Sequence, residues 1–238
     1  MKQEQMTIAA LYDLKASLAG SRLAAFTYPW EALPHIGDII RELILQLPRE
    51  AFYEYQPDVW VAHSAKIYPQ AVFTGPCIIG RETEVRPGAF IRGKALVGDH
   101  CVVGNSSELK NVILFDHVQV PHYNYVGDSI LGTYSHLGAG AITSNVKGDR
   151  LPVHVHAPEA DLDTGLKKFG AMLGDHVEVG CNTVMNPGTV IGRGSRIYPL
   201  TFVRGFVPAG HILKQDGCLV ACRPVPPAAG GTGRQATR

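Results

Sequence analysis

Residues 61–109 read "VAHSAKIYPQAVFTGPCIIGRETEVRPGAFIRGKALVGDHCVVGNSSEL". In this stretch Val61, Ile67, Phe73, Ile79, Val85, Ile91, Val97, Val103 and Leu109 each stand six residues after the last. Four residues past most of these anchors comes something small or β-branched: Ala65, Ala71, Cys77, Thr83, Ala89, Ala95, Cys101, Ser107. A β-sandwich does not keep one spacing through so many turns, whereas a solenoid of identical short units does. The stretch predicts a hexapeptide parallel β-helix, with three short strands per triangular coil and roughly eighteen residues per rung. The anchors stack as ladders inside the prism, and the small slot lets neighbouring walls approach.

The beat continues at Leu114, Val120, Val126, Leu131, Leu137 and Thr143, with two steps of five residues, and resumes at Leu173, Val179, Met185, Ile191, Ile197 and Val203. Residues 146–172 interrupt it, and a loop ejected from a rigid wall is more often functional than decorative. Residues 1–58 lack the beat. "IAALYDLKASLAGSRLAAF" (8–26) and "GDIIRELILQL" (37–47) have helical spacing of apolar residues, split by Pro29 and Pro34. The expectation is a small N-terminal helical cap over 1–58 that shields the open first coil. A β-helix over 59–210 with the inserted loop 146–172 follows, then a C-terminal extension over 211–238. The final "PVPPAAGGTGRQATR" reads as a disordered tail.

A formal charge of +1 argues against nucleic-acid coating or a membrane-surface role, so any phosphate-bearing ligand needs local cations. The five cysteines form no CxxC pair and read as filler in a reducing compartment. No apolar run approaches the ~18 residues of a membrane span, and the first twenty residues carry Asp13 and Lys15 where a signal peptide needs an apolar core. Together these predict a soluble cytoplasmic protein.

Phasing from Val61 puts Arg86 and His122 on one face, two rungs apart, roughly 10 Å. Lys110 and Asn145 fall two rungs apart on the next face, and Tyr125 lies at the corner between the two. None occupies an anchor or a small slot, so their side chains point outward. Two cations, an imidazole, a phenol and a carboxamide at one corner, beside an interrupted wall, suggest transfer to an amine or hydroxyl of a phosphorylated small molecule. Arg86 and Lys110 would hold the phosphate, and His122 would act as general base. Backbone N–H groups of the "LGAGA" corner would stabilise an oxyanion. No nucleophile elbow supports a covalent acyl-enzyme.

The motifs "VRPGA", "SSELKN", "VPHYNYVGD" and "LGAGAITSN" resemble the acetyltransferase half of bifunctional bacterial N-acetylglucosamine-1-phosphate uridyltransferase/glucosamine-1-phosphate N-acetyltransferase. That half is a left-handed β-helix of the hexapeptide-repeat superfamily, and the resemblance covers about residues 60–205. It implies His122 as the catalytic base. It implies phosphate and sugar contacts at Arg86, Lys110 and Tyr125, a substrate-orienting amide at Asn145, and a further substrate lysine at Lys168 in "KKFGAMLGD". His136 stands where the family has a sugar-contacting Asn. Acetyl-CoA is the implied donor, with Ala139 meeting the acetyl group, Cys181 in place of a donor-side Ser, and Arg223 matching a late Arg near the coenzyme. The implied acceptor is an amino-sugar phosphate such as glucosamine-1-phosphate, and the implied assembly is a homotrimer. The uridyltransferase half has no counterpart in the residues given, so a separate nucleotidyltransferase is a candidate partner. Two other readings stand beside this one. One is a non-catalytic trimeric scaffold or sugar-nucleotide-binding relative. The other is a γ-class carbonic anhydrase built on His100, His117 and His122, although both His117 and His122 are out of phase with that zinc motif. No metal is expected at the acetyl-transfer site.

Overall fold

A computed structural model describes residues 3–157, 159 and 161–222. Stacked parallel strands form a β-solenoid of about eight turns, consistent with the left-handed β-helix expected. Three walls alternate along the chain. Wall one starts at Val59–Ala62 and continues through Cys77–Ile79, Ala95–Val97, Ala171–Leu173 and Thr189–Ile191. Wall two runs from Lys66–Ile67 through Glu84–Val85, Val102–Asn105 and Gln119–His122 to Arg196–Ile197. Wall three runs from Val72–Thr74 through Phe90–Arg92 to Phe202–Val203. The registers confirm the phasing: Val85 pairs with Val103, Val103 with Val120, and Ile91 with Leu109, then Leu109 with Val126.

The inner code behaves as its chemistry requires. Nearly every anchor is fully buried, and the hydroxyls of the small slot satisfy corner carbonyls: Thr83 donates to Gly98 (2.7 Å) and Ser107 to Val120 (3.0 Å). The two five-residue steps have a definite structural meaning. At 109→114 and 126→131 the strands Glu108–Leu114 and Tyr125–Leu131 run without a break from wall three into wall one. They turn on single left-handed residues, Asn111 (φ 55°) and Asp128 (φ 47°). Other coils break the strand at this corner, at Gly75-Pro76, Gly93-Lys94, Gly188 or Gly205. Walls one and three therefore merge into one 14-stranded sheet, while wall two is a separate 9-stranded sheet.

Three expectations need correction. First, the helical segment does not plug the first coil but lies along the side of wall one. Its outward residues Ile78, Leu96, Ile113, Ile130, Met172 and Val190 are apolar and buried, so that wall needs a cover. The Tyr12 hydroxyl reaches the Ile130 carbonyl (3.4 Å), Asn111 reaches the Leu33 carbonyl (3.2 Å), and Trp30 stacks on Phe169 (5.7 Å between centroids). Second, residues 8–26 form short turns rather than one helix, with α-helices α1 (Ile8–Leu11) and α2 (Gly20–Leu23). Asp13 caps a new 3-10 turn, and Gly20 lies so close to the Leu14 carbonyl that no Cβ fits. Pro29 begins a 3-10 helix, where its missing N–H costs nothing, and that turn leads into α3 (Ile36–Ile44). Residues 52–56 add an edge strand, antiparallel to Val59–Ala62, that the helical reading missed.

Third, the insertion is not thrown outward. It leaves after Asn145 and pairs His154–Val155 with Leu162–Asp163. It then folds back over two later coils, where Gly188 and Gly205 leave room for the carbonyls of His154 and His156. At the other end, wall two continues one strand beyond 210, through His211–Leu213, which is itself covered by Leu219–Ala221. The tail expected to be disordered, 224–238, lies wholly outside the described residues.

Candidate functional site

The side chains singled out by phasing spread across the outer surface of wall three and its two corners. Tyr125 opens its strand and lays its ring along the wall over Gly127. A Cβ there would stand 2.6 Å from the phenol oxygen, so only glycine admits the ring. Burial, then the carboxylates of Asp128 and Glu108, raise the Tyr125 pKa, and a hydrogen bond with Asn145 acts the other way. The phenol therefore remains a protonated donor at neutral pH.

Asp128, 4% exposed, is the hub of the corner between walls three and one. One carboxylate oxygen accepts from Asn111 (2.8 Å); the other accepts from Asn145 and lies 3.4 Å from the Lys110 ammonium. Such a buried carboxylate is tolerable because both oxygens are satisfied and a cation neutralises it. The shortened corner puts Asp128 there, and the insertion departs from the same corner one coil later. Lys168, on the returning arm, lines a cavity of about 500 Å³ with Lys110, Asp128, Arg92, Lys94 and Arg41.

At the opposite corner, between walls two and three, the His122 ring is exposed while its backbone is pinned. Its N–H donates to the Asn124 side-chain oxygen (3.1 Å), and its carbonyl accepts from Gly140 (3.0 Å). Asn124 is 2% exposed and donates in turn to the Gly138 (2.9 Å) and Ala141 (3.2 Å) carbonyls, so one buried amide ties the His122 turn to the "LGAGA" corner. In that corner Gly138, Gly140 and Ala141 spend their N–H groups on Val179, His122 and Gly138. Among the described residues this leaves the N–H of half-exposed Ala139 as the available donor, which narrows the expected oxyanion site to one group.

The remaining positions are more dispersed. Arg86 lies on wall two and pairs with Glu84 (3.2 Å), on the other side of wall three from the cavity that holds Lys110 and Lys168. Burial would raise the Glu84 pKa, but hydrogen bonds from Tyr68 and Arg86 outweigh it and lower the pKa. His136 pairs with Glu178 on the next coil of wall two (2.9 Å). Cys181 is exposed and one coil above Ala139, whose carbonyl accepts from the Asn182 N–H (2.8 Å). Arg223 lies outside the described residues. Thus Lys110, Tyr125, Asn145 and Lys168 converge around Asp128, while Arg86 and His136 do not join them within one chain.

The imidazoles of the zinc reading do not converge. His100 and His117 lie face to face, 4.8 Å apart and 4° from parallel, in a column at the corner between walls one and two, across wall two from His122. Among the described residues no group of three or more His, Cys, Asp or Glu side chains could hold a metal ion. The sequence reading missed Asp128 and Asn124. A signal existed for the first: it directly follows a glycine at a five-residue step.

A parallel β-helix with a carboxylate-centred, cation-lined corner defines a hexapeptide-repeat protein with a polar surface site. The GMPPB C-terminal domain family model matches residues 73–193, just over half the chain, and the chain belongs to that family. The bifunctional protein GlmU of Methanococcus maripaludis C5 is 39% identical over 111 residues, covering 47% of this chain and 27% of that protein. The bifunctional sugar-1-phosphate nucleotidylyltransferase/acetyltransferase of Sulfurisphaera tokodaii is 32% identical over 128 residues, 54% of this chain and 32% of that one. The chain thus spans about a third or less of these two relatives. The UDP-N-acetylglucosamine acyltransferase structure from Francisella novicida is 14% identical, covers 70% of this chain and 69% of that one, and has a TM-score of 0.41. The resemblance read from the motifs is met by relatives of that name.

Proposed function

We infer that this chain is an acetyl-CoA-dependent N-acetyltransferase for an amino-sugar phosphate. The single observation that carries the reading is the Asp128 hub. It presents Lys110, Asn145 and the protonated Tyr125 phenol on one wall, with the pinned, outward His122 at that wall's other edge. The phosphate is placed at Lys110 and Lys168 rather than between Lys110 and Arg86, because the first two share a cavity. His122 takes one proton from the sugar ammonium and the freed amine bonds the acetyl carbon; as the C–S bond breaks, the nitrogen gives up its second proton and the departing thiolate takes up a proton to leave as the thiol. The Ala139 N–H, next to the Gly140 that donates to the His122 carbonyl, is the donor for the developing oxyanion.

A homotrimer belongs to the same reading. Wall three and its corner with wall two expose Tyr123, Ile142, Tyr198, Leu200 and Phe202, the last 64% exposed, and a second copy set there would cover them. It would also bring Arg86 and His136 of one protomer toward the site of another. A cytoplasmic setting is supported by five unpaired cysteines, of which Cys77 is buried with its thiol pKa pushed up to about 12. No helix among the described residues is long and apolar enough to cross a membrane.

The test is thiol release from acetyl-CoA with glucosamine-1-phosphate, galactosamine-1-phosphate and a UDP-linked amino sugar. Release with one of the three is expected. Absence of release with all three overturns the reading, and a monomer by sedimentation at micromolar concentration overturns the shared-site form of it.

A further inference from the structure

The corner between walls one and two carries a column that the acetyl-transfer reading does not use. His100, His117, Tyr134 and His176 occupy the same position in four successive coils, all at positive φ (55°, 63°, 56° and 59°). Their rings stack with centroids 4.8, 4.3 and 5.2 Å apart and planes within 6° of parallel. The backbone at this corner forms its own ladder. His117 N–H donates to Asp99, Tyr134 to Asp116, His176 to Thr133, Gly194 to Asp175, and Gly210 to Arg193. The backbone ladder therefore continues two coils past His176, while the ring ladder stops. Its next two places are Gly194 (φ 65°) and Gly210 (φ 66°), and a Cβ built on either meets nothing within 4 Å.

Among the described residues the outer face of the His176 ring is therefore bare above an empty position, one rung or ~4.8 Å away. That position opens into a cavity of about 540 Å³, whose lining includes Tyr134, His176, Glu178, Gly194 and Arg196. Glu178, the register partner of Arg196, is hydrogen-bonded to His136 (2.9 Å) and forms no ion pair with Arg196 among the described residues. On the other side of the column Arg193 holds Asp175 (2.9 Å), with its Nε buried and unpartnered. Cys222 donates its N–H to the Gly210 carbonyl (2.7 Å) and brings its thiol 3.8 Å from the Gly194 carbonyl, and it puts no ring over the slot.

We propose that the His176 face above Gly194 is a stacking platform for the base of a nucleoside phosphate, with Arg196 receiving the phosphate. A planar heteroaromatic ring continues a column already built from planar rings, and the guanidinium two residues on supplies the charge complement. An aliphatic or sugar ligand meets the ring only through C–H groups and covers it less evenly than a flat base. Among the described residues, glycine stands at the two places of the column that would supply a side chain. The base can come from an acyl donor carrying adenine or from an acceptor carrying a pyrimidine nucleotide. Both present the same chemistry to the platform.

The experiment is titration calorimetry of the whole chain with adenosine 3′,5′-bisphosphate, with UDP, and with ribose 5-phosphate as the base-free probe. At least one nucleotide binds, and the tighter of the two identifies the source of the base. Ribose 5-phosphate binds about tenfold or more weakly, the scale of one base–ring stack. His176→Ala removes the platform, and Gly194→His fills the slot with the chain's own ring at a φ that the corner already accepts for His176. Each lowers nucleotide affinity about tenfold or more while the melting temperature stays within a few degrees. Ribose 5-phosphate binding as tightly as the nucleotides, or both variants retaining full nucleotide affinity, overturns the proposal. The assay needs no acetyl transfer, so its failure and that of the proposed reaction are separable.

Discussion

Walls one and three belong to the same merged sheet and obey the same inner code, yet they face opposite fates. On wall one the outward residue between small slot and anchor is Ile78, Leu96, Ile113, Ile130, Met172 or Val190, and the helical segment lies over it. On wall three the same position holds Val72, Phe90, Glu108, Tyr125, Ile142 and Phe202, a mixture left open. The inner positions decide that a solenoid forms; the outer positions decide what each wall meets. Wall one is a packing surface, and in the proposed reading wall three is the surface for chemistry and contact.

The sharpest way to break that comparison is His122→Ala, at the edge of wall three. Acetyl transfer is expected to fall by about 10²–10⁴-fold, the contribution of a general base. The melting temperature should barely move, since the exposed ring makes no hydrogen bond among the described residues. Undiminished turnover in the thiol-release assay would take His122 out of the mechanism.

Leu96→Ala tests the covered wall. Its side chain is fully buried between wall one and the helical segment, and chemical denaturation should show a loss of about 2–5 kcal/mol. A loss below about 0.5 kcal/mol would mean that the helical cover contributes little there. Lys110→Ala then separates the two cations of the expected clamp. It should raise the acceptor KM by about tenfold with a smaller change in kcat, matching loss of a charge-assisted contact made equally in ground and transition states. Arg86→Ala, whose guanidinium is already paired with Glu84, should raise KM less. The reverse order would return the phosphate to the Arg86 side. Smallest of all, Phe202→Ala on the open wall should change monomer stability by no more than about 0.5 kcal/mol. A larger loss that depends on protein concentration would show that another copy covers it.

Much of this was legible because a β-helix writes its core as a strict period. Val85 over Val103 over Val120 could be counted without coordinates, and so could the placing of Lys110 below Asn145. The hub could not. Asp128 sits at a corner, off the period, and only the side chains of Asn111, Asn145 and Lys110 reveal that it is buried. The covering of wall one was readable in principle, since Ile78, Leu96 and Ile113 fall at one phase of the repeat. Attention to anchors and small slots alone passes over them. The path of residues 146–172 was not readable, because a loop returning over Gly188 and Gly205 depends on contacts between segments far apart in sequence. Phasing and motif point to Arg86, and motif alone to His136, but neither shows whether such a group meets the Asp128 corner within one chain.

The two coils whose strands run unbroken from wall three into wall one have a consequence for how this molecule can vary. A column of equal coils has no privileged origin: a coil can be gained or lost at most heights and the stack closes up. Where Glu108–Leu114 and Tyr125–Leu131 bend without a break, the corner is one residue tighter, yet the ladder holds: Ile91 and Val97, six apart, pair with Leu109 and Leu114, five apart. The column therefore absorbs the loss of a corner residue without shifting the walls on either side of it.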